Sequence, residues 1–94
     1  MNMRYLKLTI HGKVQGVGYR RWFEDKANNL NLKGYVKNLA NGDVEAIVVG
    51  TVKDVNEIIQ LSMTGPHTSK VDQIYYSDLV DYEDYDFVDF EILK

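Results

Sequence analysis

Gly12-Lys13-Val14-Gln15-Gly16-Val17-Gly18-Tyr19-Arg20 separates two kinds of hydrophobic periodicity, and the change of period across it decides the fold. Before it, from Arg4 to His11, Leu6, Leu8 and Ile10 alternate with Tyr5, Lys7, Thr9 and His11, the pattern of a half-buried strand. After it, Tyr19, Phe23, Ala27 and Leu30 fall on one helical face, with Arg21, Asp25 and Asn28 turned to solvent. A glycine-rich turn between strand and helix can aim several backbone N–H groups at one place, where the helix N-terminus adds partial positive charge. Arg20 follows with a planar fork of donors suited to phosphate or carboxylate. The stretch reads as an anion cradle.

Downstream, Lys33-Gly34 leads into a second strand, Tyr35-Val36-Lys37-Asn38-Leu39. Asn41-Gly42 predicts a type I′ hairpin turn, and Asp43 to Val49 returns as a third strand with Val44, Ala46 and Val48 on one face. Gly50 is expected to break that strand. Thr51-Val52-Lys53-Asp54 has the form of a capping box, and Val52, Val55, Ile58, Ile59 and Met63 mark the buried face of a second helix ended by Gly65-Pro66. Val71 to Val80 is strand-like, with an imperfect alternation that suggests a bulge. An acidic, tyrosine-bearing turn over 81–86 precedes a last short strand through Val88, Phe90 and Ile92. The order is βαββαβ with room for an extra final strand, which predicts a two-layer α+β sandwich: a mostly antiparallel sheet with two helices on one face.

The chain has 94 residues, 45% hydrophobic and 27% charged, which is ordinary for one globular domain with a modest core. No apolar run approaches the roughly 18 residues of a membrane span, and the first residues lack a signal-peptide block. With no cysteine there is neither a disulfide nor a thiolate site, and the cytoplasm is the expected compartment. The net charge of −3 is unevenly placed. Residues 1–37 hold eight of the eleven Lys and Arg against only Glu24 and Asp25, so the cradle sits in the basic half. An acidic total argues against nucleic acid as a partner.

Other chemistries find less support. The glycine loop lacks the Gly-Lys-Ser/Thr of a Walker loop and the third glycine of a dinucleotide fingerprint. His11 and His67 have no metal-ligand spacing and read as surface residues, and no serine sits in a nucleophile elbow. The acidic residues Asp78, Asp81, Glu83, Asp84, Asp86, Asp89 and Glu91 read as a solvated edge that discourages sheet-to-sheet pairing. Asn38 by itself is a strand-end asparagine near a turn.

Taken as a unit, Gly12-x-Val14-Gln15-Gly16-Val17-Gly18-Tyr19-Arg20 resembles the signature of the acylphosphatase family. A second motif stands in register, Gly34-Tyr35-Val36-Lys37-Asn38 followed by Asn41-Gly42-x-Val44-Glu45, and Gly65-Pro66 and Phe90-x-Ile92 also fit. The resemblance runs end to end and implies a ferredoxin-like sandwich spanning residues 1–94. It implies an enzyme that hydrolyses the carboxyl–phosphate bond of acyl phosphates without a metal or other cofactor, releasing a carboxylate and inorganic phosphate. By the same resemblance, Arg20 binds the phosphate together with the backbone of Gln15, Gly16, Val17, Gly18 and Tyr19, and Asn38 positions the attacking water. A monomer is expected. The long acidic stretch from Ser77 to Asp86 and the His67-Thr68-Ser69-Lys70 loop depart from the family pattern. The residues also admit a phosphate-binding or regulatory domain of the same fold without turnover. An RNA-binding module of this topology is disfavoured, because Val44-Glu45-Ala46-Ile47-Val48 lacks the aromatics such a strand presents.

Overall fold

The computed structural model describes residues 2–80 and 86–94. The elements are β1 (Met3–Lys13), α1 (Tyr19–Asn29), β2 (Lys33–Asn38), β3 (Val44–Thr51), α2 (Val52–Thr64), β4 (Lys70–Asp78) and β5 (Phe90–Leu93). The sheet order is β4-β1-β3-β2-β5. Neighbours are antiparallel, except that β5 runs parallel to β2. Both strand–helix–strand crossovers pack their helices on one face, giving the expected ferredoxin-like sandwich with the extra strand at its edge.

Strand alternation builds the core. Leu6, Leu8 and Ile10 of β1 point to the same side as Val44, Ala46 and Val48 of β3, and all are fully buried against Phe23, Ala27, Val55 and Ile58. Each of the leucine, isoleucine, valine and phenylalanine side chains among them contributes on the order of 1.5–3 kcal/mol by leaving water. On the helix-free face, Glu45 accepts a hydrogen bond from the Tyr35 hydroxyl (2.8 Å) and lies 3.4 and 3.6 Å from the ammonium groups of Lys7 and Lys37. Burial pushes the Glu45 carboxyl up, but the tyrosine hydrogen bond and the two lysines outweigh it and hold the group below its ordinary value.

Several local expectations are corrected. Gly50 does not end β3. It pairs with Arg4 inside the strand, and a Cβ there would lie 2.5 Å from Leu32 Cδ2, so the glycine makes room for a core leucine. The buried stripe of α2 is Val55, Ile58, Ile59 and Ser62, while Val52 and Met63 are exposed. Ser62 enters the core by donating its hydroxyl to the Ile58 carbonyl (2.5 Å), which shifts the stripe by one residue. Asn41-Gly42 is not a type I′ turn, because only Gly42 of the pair has positive φ. Ala40 joins the loop: Gly42 N–H donates to Leu39 C=O (3.2 Å), and Leu39 N–H donates to Asp43 C=O (2.8 Å). Asn41 Oδ1 then accepts the Asp43 N–H (3.0 Å). The bulge suspected in the fourth strand is present: His11 pairs with Gln73 and Gly12 with Val71, which leaves Asp72 over. Val88 lies outside β5 and is exposed. Most of the acidic turn expected over 81–86 lies outside the described residues. Within the acidic edge, Asp78 is paired with Arg4 at 2.8 Å.

Candidate active site

The loop between β1 and α1 takes its shape from two glycines. Gly16 and Gly18 have φ of 73° and 78°, and a Cβ on either would meet nothing within 4 Å. It is therefore the left-handed backbone, and not crowding, that calls for glycine here. Alternation of such residues along a loop turns successive N–H groups toward one side. Gly18 is the N-cap of α1 and offers no side-chain acceptor, and the first helical turn contains no acid. Trp22 N–H makes the first helical bond, to Gly18 C=O (3.1 Å), so the N–H groups of Tyr19, Arg20 and Arg21 have no partner inside the helix.

These N–H groups border a cleft of about 270 Å³ lined by Val14, Gly16, Gly18, Tyr19, Arg20, Arg21, Asn38 and Ile92. No carboxylate lines it among the described residues. Arg20 and Asn38, distant in sequence, meet here because β5 returns beside β2. The Arg20 guanidinium donates to the Leu93 carbonyl (3.1 Å), and Leu93 is the register partner of Lys37, the neighbour of Asn38. Only one guanidinium donor is used in that bond. Asn38 ends β2, and its Oδ1 is buried with no hydrogen-bond partner among the described residues. An enclosed acceptor without a donor costs about 1–3 kcal/mol, which a donor arriving in the cleft would offset.

The side chains of Gln15 and Val17 do not line the cleft, and contacts from these two residues hold its wall. The Gln15 side-chain amide donates from Nε2 to the carbonyls of Leu39 (2.8 Å) and Asp43 (2.9 Å). The Thr68 hydroxyl donates to the Val17 carbonyl (2.7 Å). Tyr19 is buried below the loop and donates its hydroxyl to the Ser62 carbonyl (2.8 Å), and burial pushes its phenol well above the ordinary value. His11 is exposed, as expected, and is also paired: its Nδ1 lies 2.6 Å from Asp43 Oδ1. The hydrogen bond and charge of Asp43 raise the imidazole pKa, opposed weakly by desolvation and helped by Asp72. Sequence spacing carries no signal for these long-range fastenings. The one local cue was the atypical His67–Lys70 loop, which turns out to deliver Thr68.

Comparison with known proteins agrees with this architecture. The acylphosphatase family model matches residues 6–92. An acylphosphatase of Acaryochloris marina is 42% identical, with 99% of this chain and 97% of the relative covered. One from Vibrio vulnificus is 39% identical, with 99% and 100% covered. The solved structure of an acylphosphatase from Coxiella burnetii superposes with a TM-score of 0.90 at 33% identity, covering 98% of this chain and 94% of that one. On a family match of this extent, and on relatives similar along nearly their whole length, the chain belongs to the acylphosphatase family.

Proposed function

We propose that the cleft at the start of α1 holds the phosphoryl group of an acyl phosphate, with Asn38 directing water onto it. The protein is an acylphosphatase that cleaves the carboxyl–phosphate bond to a carboxylate and inorganic phosphate. The backbone N–H groups of Gln15, Gly16, Val17, Gly18 and Tyr19 and the Arg20 fork surround the phosphoryl oxygens, where charge accumulates in a loose transition state. Asn38 accepts a hydrogen bond from the attacking water through Oδ1. An amide cannot take the proton, which passes to a phosphoryl oxygen of the substrate. The carboxylate departs without protonation because it is a good leaving group, so the site needs no general acid. Arg20 and the loop amides supply the positive field of the reaction, and turnover is expected to proceed without a metal or cofactor.

The observation that carries this reading is the unfilled Asn38 Oδ1 at the same cleft as the uncapped α1 N-terminus and Arg20. The same reading takes residues 1–94 as one domain, with the family match over residues 6–92 in support, acting as a cytoplasmic monomer without nucleic acid. No described helix is long and apolar enough to cross a membrane. The test is an assay with an aromatic acyl phosphate, with and without a chelator and with inorganic phosphate as inhibitor. Chelator-insensitive turnover, inhibited competitively by phosphate, is expected. Phosphate binding without turnover would instead favour an anion-binding or regulatory domain.

A further inference from the structure

We propose that the Gln15 side chain is a positioning residue for Asn38, setting where the attacking water stands relative to the phosphate cradle; the proposal rests on the functional reading of Asn38 above. Gln15 lies in the cradle loop, yet its amide is committed elsewhere. Nε2 spans the mouth of the β2–β3 hairpin, donating to Leu39 C=O at 2.8 Å and to Asp43 C=O at 2.9 Å. Both neighbours are pure acceptors, so only the NH₂ end of the amide fits there, and its orientation is settled. Leu39 directly follows Asn38, and Asp43 directly precedes Val44, the register partner of Asn38. The two carbonyls held by Gln15 therefore flank the residue that ends β2.

Gln15 thus joins the two halves of the site with paired hydrogen bonds. The cradle is carried by one strand–helix junction and Asn38 by a hairpin, and a shift of the hairpin would move the water without moving the phosphate. A displacement of about 1 Å in such a pair of groups costs on the order of 100-fold in rate. The Gln15 side chain does not line the cleft, so its loss should leave the anion contacts in place.

The experiment uses Gln15→Met, which keeps the length and removes the donors, and Gln15→Glu, which keeps the shape and sets an acceptor against two carbonyls. In each, kcat is expected to fall about 30-fold or more while inhibition by inorganic phosphate changes less than about threefold. In an Asn38→Ala background the same substitutions should change kcat by less than about twofold, because residues acting through one another are not additive. The side-chain amide resonances of Asn38 should shift in the Gln15 variants of the resting protein, a readout that needs no turnover. Parallel loss of phosphate affinity would make Gln15 a cradle residue. An equal loss in the Asn38→Ala background would make its role independent of Asn38. An unmoved Asn38 resonance would overturn the fastening whether or not the protein hydrolyses acyl phosphates.

Discussion

The two strand–helix junctions hold equivalent places in the fold and are built in opposite ways. At the start of α2, Thr51 Oγ1 accepts the Asp54 N–H (3.2 Å), and Asp54 adds a carboxylate to the first turn. That helix end supplies its own acceptor and its own negative charge, so nothing is left for an anion to do. At the start of α1 the N-cap is a left-handed glycine, with no side-chain acceptor and no acid in the first turn. The α2 junction closes itself with a bond three residues long. The α1 junction is left open and is braced from elsewhere, by Gln15 across 24 and 28 residues and by Thr68 across 51. The α1 N-terminus thus lacks a local cap, and the hydrogen bonds that fasten its loop come from distant parts of the chain.

The sharpest way to break the contrast is to remove what the open junction presents. Arg20→Ala should lower kcat/KM by about 10²–10³, the usual effect of deleting one transition-state donor. Arg20→Lys should also be severely impaired, since an ammonium cannot reproduce the bidentate fork. Asn38→Ala should separate the two halves of the site: kcat falls by a comparable factor, while the inhibition constant for phosphate stays within about threefold of the parent. Steady-state kinetics with phosphate inhibition measures both. Arg20→Ala activity within about tenfold of the parent would remove that residue from the site.

The closed junction should behave in the reverse manner. Thr51→Ala takes away a cap that serves only the helix, so unfolding in urea should show a loss of about 1 kcal/mol. Its kcat and KM should remain those of the parent. A large drop in turnover for Thr51→Ala would mean that α2 contributes to the reaction and that the two junctions are not functionally distinct.

Much of this contrast was readable from local pattern. The change of period across Gly12 to Arg20 located the open junction, and Thr51-Val52-Lys53-Asp54 located the closed one, because caps, glycine turns and hydrophobic stripes act over a few residues. The Asn41-Gly42 pattern locates the hairpin but not its turn: Ala40 joins the loop, and the Asn41 side chain serves the Asp43 N–H instead of supplying positive φ. Asn38 is marked in the sequence only by the family resemblance, since a lone asparagine at a strand end has no distinguishing spacing. The side-chain bonds of Gln15, Thr68 and His11 were invisible, because their partners are set by sheet order and by the return of distant loops. Gly50 misled for a related reason: its smallness answers to Leu32 across the fold and not to its own strand.

The weakest brace of the open junction offers the finest test. His11 and Asp43 join β1 to the hairpin through a 2.6 Å contact, and His11 is 58% exposed, so solvent and salt screen the pair. Its imidazole pKa in the folded protein is raised above 6.5, first by the hydrogen bond to Asp43 and then by its charge. A raised value means that the folded state binds the proton more tightly than the unfolded chain does. The stabilisation is therefore complete below the unfolded value and is lost as pH rises through the folded one. Urea unfolding of the parent and of His11→Gln, compared at several pH values from about 5.5 to 9, should show the parent's advantage on the acid side and its disappearance on the alkaline side. An advantage that is flat with pH would mean that the contact acts as a neutral hydrogen bond. One that grows with pH would reverse the sign and remove the charged pair from the bracing of the cradle.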